Sequence, residues 1–331
     1  MENKFKSNQF IKWLDELRKE DVGFAGGKGA NLGELMKIKL PVPRGFCVST
    51  FVYKYFLRRT ALDQKIRAVL PTLATYEPKK LENSMKKIRQ LIESEPLPDE
   101  LRKQIIVACQ KFRELEKEEQ LYVAVRSSAT IEDQPNTSFA GQFKTRFDTY
   151  NKRKIIEMIK SCWTSLFSPR VLAYMKNRGL EISIEKQAMA VIVQRMINSD
   201  VAGVIFTEDP VWGDQGVMII EACWGLGESI VSGSISPDRY VIDKKNLRVA
   251  GRTLGSKKTL LQMTPRGIVR RNTPKGKREI YCLEESEVKS LGKMAKIIEQ
   301  HYNTPQDIEW ALKKDNLTIH ILQSRPITAL Q

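Results

Sequence analysis

A lysine inside a glycine cluster, DVGFAGGKGANLGEL at 21–35, is the first feature of the sequence that could do chemistry. Glycines let a backbone approach a ligand closely, and a lysine ammonium is a point charge suited to phosphate. The spacing excludes the two commonest phosphate loops. A P-loop requires a glycine at Val22 and a hydroxyl at Gly29, and the dinucleotide pattern requires a glycine at Leu32. A plain glycine-rich turn before a helix is the alternative to a phosphate site at Lys28.

Arg126, followed by Ser127 and Ser128, ends an apolar run that is typical of a strand and forms the second candidate site. An arginine binds phosphate oxygens through two parallel hydrogen bonds, and the hydroxyls and the glycine-containing loop SFAGQ that follow suit the same ligand. The alternative for this arginine is a structural ion pair with Glu132 or Asp133.

Two motifs near the C-terminus combine oxygen ligands with a cation. DIEW contains Glu309, and LQSRP contains Gln323 and Arg325. Residues i and i+2 of a strand share a face, so Gln323 and Arg325 point the same way. This set fits a centre in which a carboxylate and phosphate oxygens share Mg²⁺. The alternative is an ion pair between Glu309 and Arg325.

Two further stretches give weaker signals. In AVIVQRMI, Gln194 could present its amide to the edge of an adenine, or it is one polar residue of an ordinary core strand. In WGLGES, two glycines precede Glu228 and Ser229. They indicate either a helix N-terminus that binds an anion or a simple strand–turn–helix junction.

The elements that must position these residues are of both kinds. Residues 51–120 are highly charged, with apolar residues at three- and four-residue intervals, and predict a helical block in which Asp99 caps a helix. Later segments predict strands. They are LYVAVRSSA, FAGQFKTRFDTY, AMAVIVQRMI, VAGVIFTEDP, VMIIEACWG, RYVIDKK and TIHILQSRP. Helices and strands alternate without a regular βαβ rhythm, so we expect an α+β fold.

Composition narrows the classes of protein and partner. Five cysteines are far apart without C-x-x-C spacing, which predicts core thiols in a reducing cytoplasm rather than disulfides or zinc. Two histidines exclude a His-rich metal cluster, and no apolar run reaches membrane-spanning length. The net charge of +16 favours anionic partners. Residues 244–278 hold twelve Lys or Arg and no Asp or Glu. Without aromatic residues there, a solvated hairpin face is favoured over nucleic-acid binding.

Taken together and in order, these blocks resemble a known family. GGKGANLGEL, VPRGFCVST, VAVRSSATIED, SFAGQ, VIVQRM, AGVIFTEDP, WGLGESIVSG and QDIEW…LQSRPIT are similar to the N-terminal nucleotide-binding domain of the phosphoenolpyruvate synthase and pyruvate phosphate dikinase family, which includes rifampicin phosphotransferase. The similarity runs from about residue 12 to residue 328.

The resemblance implies an ATP-grasp fold, in which two α+β lobes hold ATP between them. The expected lobes are residues 1–185, with the helical insert 51–120, and residues 186–331. It implies phosphate contacts from Lys28 and Arg126.

The resemblance assigns the remaining site residues as well. Gly141 and Thr145 belong to the loop over the phosphates. Gln194 frames adenine, and Arg195, Met196 and Ile197 form the hinge backbone. Glu309 and Gln323 are the implied Mg²⁺ ligands, Arg325 steadies the terminal phosphates, and Asp307 is an acidic position also found in dikinases. Lys28, Arg126 and Arg325 are the implied catalytic residues.

The implied reaction needs partners. A histidine on a separate swivelling domain attacks the β-phosphorus of ATP, AMP leaves, and the carrier passes phosphate to pyruvate or another acceptor. Neither His301 nor His320 has the surroundings of the carrier site, so we expect the carrier histidine on a separate swivelling domain or on a protein in trans. A rifamycin acceptor and a non-catalytic nucleotide-binding module are the alternatives. No membrane partner is expected.

Overall fold

The computed structural model describes residues 10–69, 78–117, 121–130, 145–177, 187–265 and 267–327. Two compact units make up the chain. The first consists of Met1–Gly33 and Arg44–Arg195, and the second of Glu34–Pro43 and Met196–Gln331. Each unit is thus assembled from two separate stretches of chain. The division at residue 185, expected from sequence, stays a prediction.

The first unit contains an antiparallel sheet with strand order β1-β2-β5-β3-β4. Its strands are β1 (Ile11–Trp13), β2 (Gly45–Val48), β3 (Tyr122–Ala129), β4 (Thr145–Thr149) and β5 (Met189–Arg195). Helix α1 (Val22–Lys37) begins in this unit and ends in the stretch assigned to the second. The other helices of the first unit are α2 (Thr50–Arg59), α3 (Leu62–Val69), α4 (Pro78–Ser94), α5 (Asp99–Glu116), α6 (Lys152–Thr164) and α7 (Pro169–Asn177).

The two faces of this sheet pack against different parts of the first unit. Side chains alternate along a strand, and Val125, Val191 and Val193 on one face join the hydrophobic core formed with the helices. The opposite face, which carries Ile192, lies against α1. A Cβ added to Gly29 of that helix would lie 2.9 Å from Cδ1 of Ile192. The absence of a side chain at Gly29 therefore lets α1 approach the sheet.

The predicted helical block between residues 51 and 120 is confirmed, as α2 to α5 occupy its described part. The expected role of Asp99 is wrong in detail. Pro98 occupies the N-cap position with φ −49°, and Asp99 is the first residue of α5. The ψ of Pro98, 140°, is extended rather than helical, so α5 begins at Asp99, one residue earlier than a capping role for Asp99 requires. The Asp99 carboxylate instead lies 3.2 Å from Arg102.

The second unit contains an antiparallel sheet with strand order β13-β12-β6-β7-β8-β9 and a separate hairpin, β10-β11. Its strands are β6 (Val201–Phe206), β7 (Val217–Trp224), β8 (Asp238–Asp243), β9 (Val249–Thr253), β10 (Thr259–Thr264), β11 (Gly267–Asn272), β12 (Gln306–Lys313) and β13 (Thr318–Pro326). Its helices are α8 (Glu228–Val231), α9 (Lys275–Arg278) and α10 (Glu285–Tyr302). Helices and antiparallel sheets in both units confirm the mixed α+β class.

Strand β12 separates an apolar face from a polar face. Ile308 and Trp310 are fully buried, and α10 packs against this strand. The helix supplies one buried stripe at helical spacing, made of Val288, Leu291, Ala295 and Ile298. Asp307 and Glu309 alternate with the buried residues and are partly exposed. The sheet therefore presents these two carboxylates on the face away from its apolar core.

A buried ion pair holds the loop between β9 and β10. Lys257 and Asp238 are 1% and 0% exposed, and the Lys257 ammonium donates to the Asp238 carboxylate. The same carboxylate accepts hydrogen bonds from the backbone N–H of Gly255 (2.8 Å) and of Cys282 (2.7 Å). Every strong acceptor oxygen of Asp238 thus has a donor, which is the condition for keeping a charge in a protein interior.

The basic segment 244–278 forms β9, β10, β11 and α9. Several of its lysine and arginine side chains contact other residues of the second unit. Lys244 lies 2.7 Å from Glu299, and Arg252 lies over the ring of Tyr281. Arg270 and Arg271, on β11, face solvent. Some of the positively charged side chains of this segment therefore make contacts within the second unit.

The cysteines are core thiols, as predicted: all five are free and buried. Burial raises the pKa of Cys109 and of Cys223 to about 12 in each case. None of the helices in the described ranges is both long enough and apolar enough to cross a membrane.

Candidate functional site

The glycine cluster lies inside α1, where it breaks the helix. Gly26 has φ 68° and ψ 175°, a left-handed conformation that favours glycine. A Cβ at this position would lie 2.2 Å from the backbone oxygen of Ser128 on β3. Lys28, which is partly exposed, follows two residues after the break. Contact with β3 therefore fixes the turn that presents Lys28.

Ser128 holds this turn through its hydroxyl. Its Oγ donates a hydrogen bond to the carbonyl oxygen of Ala25 (2.6 Å) and accepts one from the N–H of Gly29 (3.1 Å). A helix start normally has a side chain at the N-cap that accepts from the third amide. Gly26 has no side chain, and Ser128 supplies the oxygen from the neighbouring strand. The hydroxyl thus serves the turn that carries Lys28.

Three residues predicted to contact ATP occupy neighbouring positions of the first sheet. Arg126 on β3 is 8% exposed and lies directly opposite Thr145 of β4 in the backbone register. Gln194 of β5 is 2% exposed and pairs with Ala124, two residues before Arg126. Arg126 and Gln194 therefore project from the same face of the sheet, the face that α1 covers.

The remaining first-unit predictions have different outcomes. Gly141 lies outside the described residues, and so do Glu132 and Asp133, the alternative partners of Arg126. The side chain of Arg195 lies beside a carboxylate, with Nε 3.2 Å from Oε2 of Glu116.

The predicted hinge residues mark the passage of the chain between the units. The first unit ends at Arg195, and the longer stretch of the second unit begins at Met196. The N–H of Arg195 donates to the carbonyl oxygen of Arg44 (2.8 Å), another residue at a unit boundary. Ile197 is buried in a small apolar cluster of the second unit.

The predicted metal ligands face each other across a strand pair. Glu309 of β12 lies directly opposite Gln323 of β13, and a register shift follows between Glu309 and Trp310. Directly opposed residues of antiparallel strands have neighbouring Cβ atoms on one face. Gln323 is 3% exposed. The structure thus places a carboxylate and a carboxamide side by side.

Arg325 binds a carboxylate two residues along the same strand pair. Its Nε and Nη2 lie 2.8 and 2.6 Å from Oδ2 of Asp307, and the two residues are directly opposed in the register. Asp307 therefore holds Arg325 across the strand pair.

The same face carries a third carboxylate that the sequence interpretation missed. Along one row of the sheet, Glu309 pairs with Val204, Val204 with Glu221, and Glu221 with Arg239. Burial raises the pKa of Glu221, against the opposing effect of Arg239, and repulsion by Asp307 raises it further. The signal in the sequence is the single carboxylate within the apolar strand VMIIEACW.

Arg239 also holds the turn that follows β6. Its Nη2 lies 3.1 Å from Oδ2 of Asp209. Burial alone would raise the pKa of Asp209, but the N–H groups of Val211 and Trp212 and the Arg239 guanidinium lower it below its ordinary value. Asp209 is therefore held as a carboxylate that receives donors from both the turn and β8.

The second-unit residues fit a magnesium ion that is shared with phosphate. Carboxylate and carboxamide oxygens are hard ligands, and Mg²⁺ in nucleotide sites usually takes one or two protein ligands together with phosphates and water. Glu309 and Gln323 supply two oxygen-bearing side chains. Among the residues that the structure describes, no group of three or more His, Cys, Asp or Glu could form an all-protein metal site.

The WGLGES stretch forms a strand–turn–helix junction. Gly225 has φ 78°, and a Cβ there would lie 2.1 Å from the backbone oxygen of Leu261 in the hairpin. The N–H of Leu226 donates to the same oxygen (2.9 Å). Helix α8, which follows, spans four residues. The glycine is thus required where the turn meets β10.

Comparison with known proteins identifies the family. Residues 22–331 match the family model for the pyruvate phosphate dikinase AMP/ATP-binding domain. A probable phosphoenolpyruvate synthase of Methanocaldococcus jannaschii is 41% identical over 98% of this chain and 27% of its own length. The phosphoenolpyruvate synthase of Pyrococcus furiosus is 35% identical over 98% and 44%, respectively.

A probable phosphoenolpyruvate synthase of Methanothermobacter thermautotrophicus is 37% identical over 98% of the chain and 47% of its own length. The chain thus spans less than half the length of these curated relatives. The family match covers both structural units and includes every residue of the glycine turn, the Arg126 strand and the Glu309–Gln323 pair. The chain therefore belongs to the pyruvate phosphate dikinase AMP/ATP-binding domain family.

Proposed function

We propose that this chain is the Mg-ATP-binding part of a phosphoenolpyruvate synthase-like phosphotransferase with an ATP-grasp fold, whose two lobes hold ATP between them. The observation that carries the proposal is the polar face of the second sheet. There Glu309 of β12 lies opposite Gln323 of β13. Two residues along the same strands, Asp307 binds Arg325. A phosphate chain with its metal needs this combination of oxygen ligands and a fixed cation.

The residues have distinct proposed roles. Lys28 and Arg126 from the first unit and Arg325 from the second neutralise phosphate charge. Glu309 and Gln323 hold Mg²⁺, which when bound screens the charge that would repel a nucleophile.

The nucleotide is positioned by six further residues. Gln194 and the hinge backbone of Arg195, Met196 and Ile197 frame adenine, and Gly141 and Thr145 belong to the loop over the phosphates. Transfer of a phosphoryl group depends chiefly on such alignment and charge neutralisation.

The proposed reaction uses a carrier histidine outside this chain. Its ring nitrogen attacks the β-phosphorus, the bond to the oxygen of the AMP phosphate breaks, and AMP leaves. Water then releases the terminal phosphate, and the carrier passes the remaining phosphoryl group to an acceptor. The relatives are named phosphoenolpyruvate synthase, which favours pyruvate over a rifamycin as this acceptor.

Calorimetry of the chain with ATP, with and without Mg²⁺, tests the proposal. We expect Mg-dependent binding that weakens at least about tenfold in Lys28→Ala and Arg325→Ala, since a hydrogen bond to a charged group contributes roughly 1.5–3 kcal/mol. Arg153→Ala is the matched control, because Arg153 lies on α6 and is 92% exposed at its side chain. Folded wild-type protein without ATP affinity would overturn the proposal.

A further inference from the structure

The turn that follows β6 presents two neighbouring apolar side chains to solvent. Trp212 is 82% exposed and Val211 is 70% exposed, the two highest values among the large apolar residues that the structure describes. Single exposed apolar residues are ordinary on protein surfaces. A tryptophan beside a second apolar residue is different, because tryptophan is among the residues that contribute most to binding when a partner covers them.

The Trp212 turn, residues 209–214, is held by its own hydrogen bonds. Oδ1 of Asp209 accepts from the N–H of Val211 (2.8 Å) and of Trp212 (3.2 Å). The N–H of Gly213 donates to the carbonyl oxygen of Asp209 (2.8 Å), and the N–H of Asp209 to that of Asp214 (3.0 Å). Asp209 is 6% exposed. A turn fixed in this way loses little conformational entropy when a partner binds.

Contacts on the N-terminal side of the Trp212 turn connect it to the strands that carry the proposed phosphate site. The N–H of Thr207 donates to the carbonyl oxygen of Gln306 (2.9 Å), the residue before Asp307. Arg239, which binds Asp209, lies in the same row of the sheet as Glu221. The turn therefore leaves the sheet at the strand ends where Asp307 holds Arg325.

We infer that Val211 and Trp212 form the docking contact for the domain that brings the phosphate-accepting group to ATP. This inference rests on the proposed function. An acceptor must reach the phosphates at the strand ends that Arg325 marks, and the Trp212 turn follows β6 at those same strand ends. The P. furiosus relative is aligned with this chain over 44% of its length, so a partner domain is available in the rest of that protein.

Charge defines the surface that such a partner must offer. Residues 207–216 contain Glu208, Asp209 and Asp214 and no Lys or Arg, although the chain carries a net charge of +16. Arg239 offsets Asp209. The partner face that complements the turn is an apolar pocket with a Lys or Arg at its rim, since tryptophan also attracts cations to its ring face.

The test uses this chain and, as partner, the part of the P. furiosus phosphoenolpyruvate synthase that lies outside the segment aligned with it. The affinity of the partner for the labelled chain is measured in the presence of Mg-ATP. AMP formation is measured in the same mixture. The variants are Trp212→Ala, Trp212→Phe and Val211→Ser. Leu317→Ala is the control, because Leu317 is 68% exposed in the β12–β13 turn at the opposite ends of these strands.

Trp212→Ala should weaken partner binding at least about tenfold and slow AMP formation at low partner concentration, as expected for a tryptophan hot spot. Trp212→Phe should retain most of the affinity, Val211→Ser should lose part of it, and Leu317→Ala should match wild type. Calorimetric affinity for Mg-ATP should stay within about twofold in all variants, which also shows that they are folded.

Two outcomes overturn the inference while leaving ATP binding intact: equal partner affinity of Trp212→Ala and wild type, or no partner binding by wild type. Failure of wild type to bind ATP would instead overturn the proposed function. The two proposals are therefore tested by separate readouts of the same proteins.

Discussion

Gly29 donates its backbone N–H to the hydroxyl of Ser128, a residue 99 positions later in the chain. This bond and the bond from Ser128 to Ala25 attach the interrupted helix α1 to strand β3. The turn that carries Lys28 thus depends on a side chain from another element. Its geometry is a property of the folded first unit rather than of the glycine cluster alone.

Ser128→Ala removes both hydrogen bonds and leaves a buried N–H and a buried carbonyl oxygen without them. We expect a loss of about 1–3 kcal/mol in the free energy of unfolding, measured in urea. Ser290→Ala, which removes an exposed hydroxyl from α10, should change stability by less than about 0.5 kcal/mol. Equal effects of the two substitutions would contradict the role given to Ser128.

Gly26→Ala should destabilise the protein by more than about 2 kcal/mol, since a conformation with φ 68° and ψ 175° costs a non-glycine residue roughly 1–3 kcal/mol. The added Cβ would also lie 2.2 Å from the oxygen of Ser128. Gly23→Ala is the matched control, because a Cβ at Gly23 meets nothing within 4 Å. It should be neutral or stabilising by up to about 1 kcal/mol, as alanine favours a helix. Thermal unfolding of both variants checks the contrast.

Arg325→Lys preserves the positive charge but not the two nitrogens that contact Asp307. We expect Mg-ATP affinity to fall about tenfold, because a lysine cannot reproduce the planar geometry of the guanidinium. Titration calorimetry provides the measurement. Arg153→Lys changes an exposed arginine of α6 in the same way and should leave affinity unaltered. An unchanged affinity of Arg325→Lys would show that charge alone suffices.

Glu221→Gln tests the cost of burying a carboxylate. Burial raises the pKa of Glu221, so its ionised form is less stable in the folded protein than in the unfolded chain. The Gln variant should therefore be more stable than wild type at pH 7 in the presence of a chelator. The difference should shrink as the pH falls through the raised pKa, and vanish below the ordinary glutamate pKa of about 4.3. A less stable variant at pH 7 would mean that attraction to Arg239 outweighs burial.

Lys257→Met leaves the buried carboxylate of Asp238 without its cation. Removing one member of a buried pair typically costs 3–5 kcal/mol, and we expect a loss of about that size in urea unfolding. Lys275→Met, at an exposed pair with Glu279, should change stability by less than about 0.5 kcal/mol. Wild-type stability of Lys257→Met would show that the pair adds little to the fold.

Much of the fold could be predicted because local patterns survive in the structure. The apolar spacing of residues 51–120 matches four helices, and the apolar runs around Val125 and Val193 match buried strands. The family could be recognised because its ligand residues lie in short ordered blocks.

The sequence could not predict which residues of different strands lie opposite each other. Asp307 opposes Arg325 only because the β12–β13 turn and the register shift after Glu309 set that alignment. Glu221 lies in the Glu309 row because β6 separates the two strands. The bond from Gly29 to Ser128 joins elements that no local pattern connects.

The discontinuous second unit has a consequence for synthesis. Residues 34–43 belong to it, and the carbonyl oxygen of Pro41 accepts from the N–H of Ile321 on its last strand (3.0 Å). Glu34, in the same short stretch, lies 2.9 Å from His301. A ribosome adding roughly 5–20 residues per second produces these partners tens of seconds apart. The second unit therefore closes only after strand β13 has been synthesised, and no single cut in the sequence separates the two units.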